Sequence, residues 1–126
     1  SATLLNNTKP VTLLHAKRAC AKQQPYLERG IRCISLAESE TGLDLSAVLL
    51  QLGQEGCHDV WVEAGSQFFN ALIQEKKVQR ALVYVAPTIA GEGLQAFPDG
   101  FDWISDAKSL SWYHHGPDAI CELGFV

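Results

Sequence analysis

Methionine is missing altogether, even from position 1, which suggests a piece excised or engineered from a longer chain. No apolar run is long enough to cross a bilayer. The first ten residues lack the charged and apolar regions of a signal peptide, so neither a membrane partner nor an export route is expected. Basic residues are not in excess: the ten Lys and Arg stand against fourteen Asp and Glu, for a net charge of −4. No general attraction to nucleic acid or to an anionic membrane follows from that balance. Paired cysteines are lacking as well. Cys20, Cys33, Cys57 and Cys121 are scattered, with no CxxC pair and no His at zinc-ligand spacing, so no metal site is expected. Each reads as a small buried hydrophobe in a reducing compartment, which points to the cytoplasm. What is present is ordinary for a globular protein: 126 residues, 47% hydrophobic and 19% charged, enough for a single domain with a modest core.

The pattern of elements is α/β. Residues 11–14 and 31–36 read as short strands. Residues 17–29 are weakly helical at best, because Pro25 interrupts them. Leu45, Val48, Leu49 and Leu52 share one helical face, with Asp44 as N-cap and Gly53 or Gly56 as the stop. Residues 60–63 read as a third strand. Phe69, Leu72 and Ile73 give the next helix its buried stripe, with Ser66 able to cap it. Residues 81–86 form a continuous apolar run, as in a strand buried on both faces at the centre of a parallel sheet. Gly91, Gly93, Pro98 and Gly100 mark a long loop. Two strands, 110–114 and 119–125, then flank a turn at residues 115–118 and read as an antiparallel hairpin. The expected architecture is a mostly parallel sheet flanked by helices, with that hairpin at the C-terminal end.

The segment richest in chemistry is VWVEAGSQFFNALI, residues 60–73. A strand runs into a carboxylate, then a small-residue turn, then an amphipathic helix. The free N–H groups and positive dipole end of a helix N-terminus suit an anion, phosphate above all. Glu63 stands beside that end, where a negative charge calls for a second ligand with donor groups. The segment matches neither GxGxxG nor GxxxxGK[ST], and as bare pattern it is equally an ordinary strand-to-helix connection in which Gly65 permits a tight turn. No basic residue sits in the first turns of the helix; Lys76 and Lys77 lie at its C-terminal end, where they complement the dipole. His114 and His115 are adjacent on a strand, so they point to opposite faces and do not chelate one metal. No Ser, His and Asp set forms a hydrolytic triad.

Residues 60–93, with Glu63-Ala64-Gly65, Ala86-Pro87 and Gly91 in that order, resemble the reductase domain of the riboflavin-biosynthesis bifunctional deaminase/reductase. That family's segment runs through a strand ending in Glu-Gly-Gly or Glu-Ala-Gly, a helix, a Val-Asp-Glu-Leu-like link, and a strand ending in Ala-Pro followed by Gly. LDLSAVLLQLGQEGCHDVWVEAG upstream and HHGPDAICELGF downstream extend the resemblance over most of the chain from Leu43 onward. The chain departs from the pattern at Val78-Gln79-Arg80-Ala81, at Ser66, which is often Pro, and at the large Phe68 and Phe69. The resemblance implies a dihydrofolate-reductase-like fold, here incomplete. It implies NADPH as cofactor and an aminouracil ribosyl phosphate as substrate, the ribosylamino sugar of 5-amino-6-(5-phosphoribosylamino)uracil being reduced to the ribitylamino form. It implies Glu63 as a substrate contact and Gly65, Ser66, Gln67, Phe68, Phe69, Asn70 and Ala71 as part of the cofactor site, with no general acid assigned. It implies a homodimer, for which Leu110 and Trp112 on one hairpin strand and Cys121, Leu123 and Phe125 on the other offer an apolar face. The zinc-binding deaminase motifs and the first part of the reductase domain are not in this sequence, so the chain reads as the C-terminal portion of a reductase, inactive alone. A second reading stays open: a dinucleotide-binding or assembly module derived from the same family, without chemistry.

Overall fold

In the computed structural model, residues 10–40, 42–89, 91–93, 97, 102 and 104–126 are described. The loop markers Pro98 and Gly100 and the first nine residues lie outside them. The chain sorts into two compact units, residues 1–60 and 61–126.

The first unit carries β1 (Thr12–Ala16), a 3-10 turn (Lys17–Lys22), α1 (Gln24–Leu27), β2 (Arg32–Leu36), the two-residue strands β3 (Glu38–Ser39) and β4 (Gly42–Leu43), and α2 (Leu45–Gln54). β1 and β2 pair in parallel, from Thr12 opposite Arg32 to Ala16 opposite Leu36. Pro25 does not interrupt a helix here. It sits in the first turn of α1, where its missing N–H would have had no partner and its fixed φ suits the helix. Asp44 caps α2 as expected, one carboxylate oxygen accepting from Ser46 N at 2.8 Å and Ala47 N at 3.1 Å. The other end closes with Cys57 N donating to Leu52 O and Gly56 N to Gly53 O, a Schellman arrangement. It requires the left-handed backbone that Gly56 adopts at φ 85 and that a side chain would disfavour. Ion pairs Arg18–Glu38 at 3.1 Å and Arg32–Glu55 at 2.9 Å lie on the surface and contribute little individually.

The second unit carries α3 (Ser66–Gln74), β5 (Arg80–Val85), β6 (Ser109–His115) and β7 (Asp118–Gly124). The strand order is β5-β7-β6, antiparallel throughout. The hairpin is as expected, with His115 opposite Asp118 and Gly116 at φ 60 in the first central turn position, the position that a two-residue hairpin loop gives to a positive φ. Two expectations about strands are corrected. Residues 60–63 form no ladder, and Val60, Trp61 and Val62 are exposed. β5 is not the centre of a parallel sheet; it pairs antiparallel with β7, and Tyr84 and Val85 are exposed. Parallel pairing among the described residues is confined to β1 and β2. An apolar run of strand length marks a strand but neither the burial of both its faces nor the direction of its partner, and here the hairpin strand β7 took the central place.

The core of this unit is Ile73, Ala81, Cys121 and Leu123, with Phe69, Val78, Val83, Phe97, Ala107 and Phe125 packed against it. The register places Leu110 opposite Leu123 and Trp112 opposite Cys121, so all four share one sheet face. Cys121 and Leu123 are fully covered, whereas Leu110 and Trp112 are exposed. The apolar face of β7 is therefore core rather than free surface. Burial pushes the Cys121 thiol above its usual range, while Cys57 is exposed, unlike the buried hydrophobe expected there. Ser109 and Gly124 form the last pair of the hairpin ladder; a Cβ at position 124 would come within 2.6 Å of Ser109 Oγ.

Candidate functional site

The turn from Glu63 to α3 lies wholly in the second unit. α3 forms because Leu72 and Ile73, both buried, and Phe69, partly buried, recur on one face; the Phe69 ring meets Phe97 at a centroid distance of 5.5 Å. The helix begins one residue earlier than a Ser66 cap requires. Gly65 is the N-cap, Ser66 is the first helical residue, and no side chain caps the end. The first intrahelical bond is Phe69 N to Gly65 O at 3.0 Å. The N–H groups of Ser66, Gln67 and Phe68 precede any intrahelical acceptor and project from the end of the helix beside the exposed Glu63.

Gly65 has φ −74 and ψ 169, extended backbone that any L residue adopts. A Cβ built there meets nothing within 4 Å. The tight-turn explanation of this glycine is thereby removed: neither its conformation nor its neighbours require it. The glycine leaves an uncapped, positively polarised helix end open to solvent. A phosphate fits that end, its negative charge meeting N–H donors and the dipole, with no cation on the first turn to assist.

The structure gathers Glu63, Gly65, Ser66, Gln67, Phe68, Phe69, Asn70 and Ala71 on one continuous turn and helix but does not give them one role. Phe68 is exposed. Phe69 belongs to the core. Asn70 is only 6% exposed, and among the described residues neither Asn70 Nδ2 nor Oδ1 has a hydrogen-bond partner. The family resemblance included Asn70 in the cofactor segment but did not set it apart from its neighbours. The available signal was a polar side chain three residues before Ile73 on the buried stripe.

Two further clusters stand elsewhere. In the first unit, His15 is buried, its Nδ1 2.9 Å from Ala16 O and its Nε2 3.0 Å from Gln23 Oε1. It ties the end of β1 to the following turn and helps line a cavity of about 100 Å³ with Leu13, Ala19, Lys22, Gln23 and Tyr26, a volume too small for a nucleotide. On the face of the hairpin opposite the core, Arg80 pairs with Glu122 at 3.5 Å. Tyr113 lies nearby with its hydroxyl pKa raised, first by burial and then by the Glu122 carboxylate.

The RibD C-terminal domain family matches residues 1–120. The chain belongs to that family. It is 33% identical over 99 residues to the riboflavin biosynthesis protein RibD of Escherichia coli, covering 74% of this chain and 27% of that protein. It is 26% identical over 82 residues to a Buchnera aphidicola protein named 5-amino-6-(5-phosphoribosylamino)uracil reductase, covering 65% of this chain and 38% of that one. The solved structure of Acinetobacter baumannii RibD superposes with a TM-score of 0.66 at 22% identity, over 98% of this chain and 33% of that chain. The fold is thus that of a RibD segment, mixed α/β, and the chain spans well under half the length of each of these relatives.

Proposed function

We propose that this chain is the C-terminal portion of an NADPH-dependent 5-amino-6-(5-phosphoribosylamino)uracil reductase of riboflavin biosynthesis, with a dihydrofolate-reductase-like fold of which residues 1–126 form one domain. Family membership and the names of the relatives support the reductase over a module without chemistry. The observation that carries the site is the uncapped N-terminus of α3 beside a glycine that its own backbone does not need. The N–H groups of Ser66, Gln67 and Phe68 would hold the cofactor pyrophosphate, with Gly65 leaving room for backbone approach. The Glu63 carboxylate would accept N–H donors of the aminouracil ring and so orient the substrate. Bound here, the cofactor would supply the hydride which, with a proton, reduces the ribosylamino sugar to the ribitylamino form. The contribution of the chain is to fix the relative positions of the two reactants.

The four free thiols support a reducing, cytoplasmic setting, and the net negative charge argues against a nucleic-acid or membrane partner. The exposed Leu110 and Trp112 support a homodimer through β6. With Cys121 and Leu123 already covered, those two side chains are the part of this apolar sheet face left for a partner copy. Sedimentation at micromolar concentration checks the dimer, and Trp112→Asp is expected to yield monomer.

NADPH titration followed by backbone amide shifts tests the site. Residues 65–71 are expected to move; silence there with shifts elsewhere rejects it. In the full-length protein, Glu63→Gln is expected to weaken substrate binding by about 1.5–3 kcal/mol, the loss of one charge-assisted acceptor, with NADPH affinity retained. Residues 1–126 alone are expected to show negligible turnover, and steady NADPH oxidation by them with the aminouracil substrate would contradict this.

A further inference from the structure

Asn70 combines two properties that rarely coexist. Its side chain is buried, and both amide atoms are without a partner among the described residues. Buried side-chain amides in folded proteins are nearly always hydrogen-bonded, because an unpaired one forfeits its bonds to water and regains nothing. The neighbours of Asn70 on α3 show what the fold alone asks of this stripe: Leu72 and Ile73 are buried and apolar, and an aliphatic residue of similar volume at position 70 would meet the same packing demand. The amide is one turn inside the helix. Side chains on a helix lean toward its N-terminus and over the residues three and four positions earlier. For Asn70 those are Gln67 and Ser66, in the turn whose N–H groups are free and whose N-cap opens to space.

We propose that Asn70 is a positioning residue completed by the ligand: the dinucleotide phosphate that docks at the N-terminus of α3 brings the oxygen acceptor that the Asn70 amide lacks. The inference rests on the α3 reading above. Asn70 Nδ2–H adds a side-chain donor to the backbone N–H groups, in a turn that carries no Lys or Arg. Its atoms are covered in the ligand-free protein, so docking includes a rotation of the side chain toward the helix end. The unpaired amide makes the ligand-free form less stable than an apolar residue would, and pairing it makes binding more favourable.

The test uses the full-length protein and NADPH, comparing wild type with Asn70→Leu, which keeps the number and branching of the side-chain heavy atoms, and Asn70→Ala, which removes the amide. Melting temperature without ligand is measured alongside NADPH affinity. Asn70→Leu is expected to melt no lower than wild type without ligand, and both variants are expected to bind NADPH roughly tenfold more weakly, the effect of one lost hydrogen bond to a charged group. NADPH affinity within twofold of wild type in Asn70→Leu overturns the inference. So does a weaker affinity accompanied by a lower ligand-free melting temperature in Asn70→Leu, because the amide then serves the fold. Failure of the underlying reading is distinguishable: wild type then shows no NADPH-dependent amide shifts at residues 65–71, and the inference falls with it.

Discussion

Helices α2 and α3 are ten and nine residues long, and their ends are built differently. α2 starts under two hydrogen bonds from Asp44 and stops on Gly56 in the left-handed conformation that glycine tolerates. α3 starts on Gly65 with no side-chain cap. It stops with the same pair of closing bonds, Lys77 N to Leu72 O and Lys76 N to Ile73 O, but with Lys76 rather than glycine at φ 54. One buried face is apolar; the other includes an unpaired amide. Local features of α2 all favour the helix. Those of α3 leave stability ungained at its N-terminus, at position 70 and at its C-terminal stop. The first of these is the end proposed to receive a phosphate and the second lies one turn inside it, as expected where a structure retains free donors for a ligand.

The comparison can be broken or sharpened in order of effect. Leu123→Ala removes a fully buried side chain from the core that supports α3 and is expected to cost about 2–5 kcal/mol. Denaturant unfolding should show the loss, and a loss under 1 kcal/mol would mean that Leu123 is not core. Asp44→Ala is expected to cost about 1 kcal/mol by removing the α2 cap. Lys76→Gly should stabilise by up to about 1 kcal/mol through relief of the left-handed strain; a decrease in melting temperature would show that Lys76 has a compensating contact. Transferring the α2 cap to α3 by Gly65→Asp is expected to change stability by only a few tenths of a kcal/mol while its carboxylate occupies the free N–H groups and suppresses NADPH binding. Retained affinity would refute the phosphate site.

The smallest effect concerns pH. The raised pKa of Tyr113 means that the folded protein holds this proton after the unfolded chain has released it. Stability is therefore present below the ordinary phenol range and declines as pH rises through it. Absorbance titration should place Tyr113 above a free phenol, and Glu122→Gln should bring it down by removing one of the negative charges that raise it.

The elements with their own punctuation were legible in the sequence. Asp44 marked the start of α2 and Gly53 or Gly56 its stop, of which the structure uses Gly56, and residues 115–118 announced the hairpin. Glu63-Ala64-Gly65, with Ala86-Pro87 and Gly91 following in order, led to the family. Less legible was anything that depends on a partner strand. The apolar run at 81–86 disclosed a strand but not that β7 would pair with it antiparallel, and residues 60–63 have strand composition without a ladder. The turn and helix of the proposed site were legible as elements, yet its residues differ in ways that composition does not encode. Phe69 faces the core, Phe68 faces solvent, and Asn70 has its amide enclosed. That sorting follows from the angular position of each side chain on α3 and from what lies beneath it.

The contact between Ser109 and Gly124 carries an evolutionary consequence. The two positions face each other at the last pair of the hairpin ladder, and the space that a Cβ at 124 would take is held by Ser109 Oγ. Natural variation at the two should therefore be correlated: a homologue that gains a methyl group at 124 should carry Ala or Gly at 109, or a Ser held in another rotamer. Homologues that keep glycine at 124 should be free to vary at 109. Co-variation of this pair across many sequences would register the hairpin pairing without any structure determination.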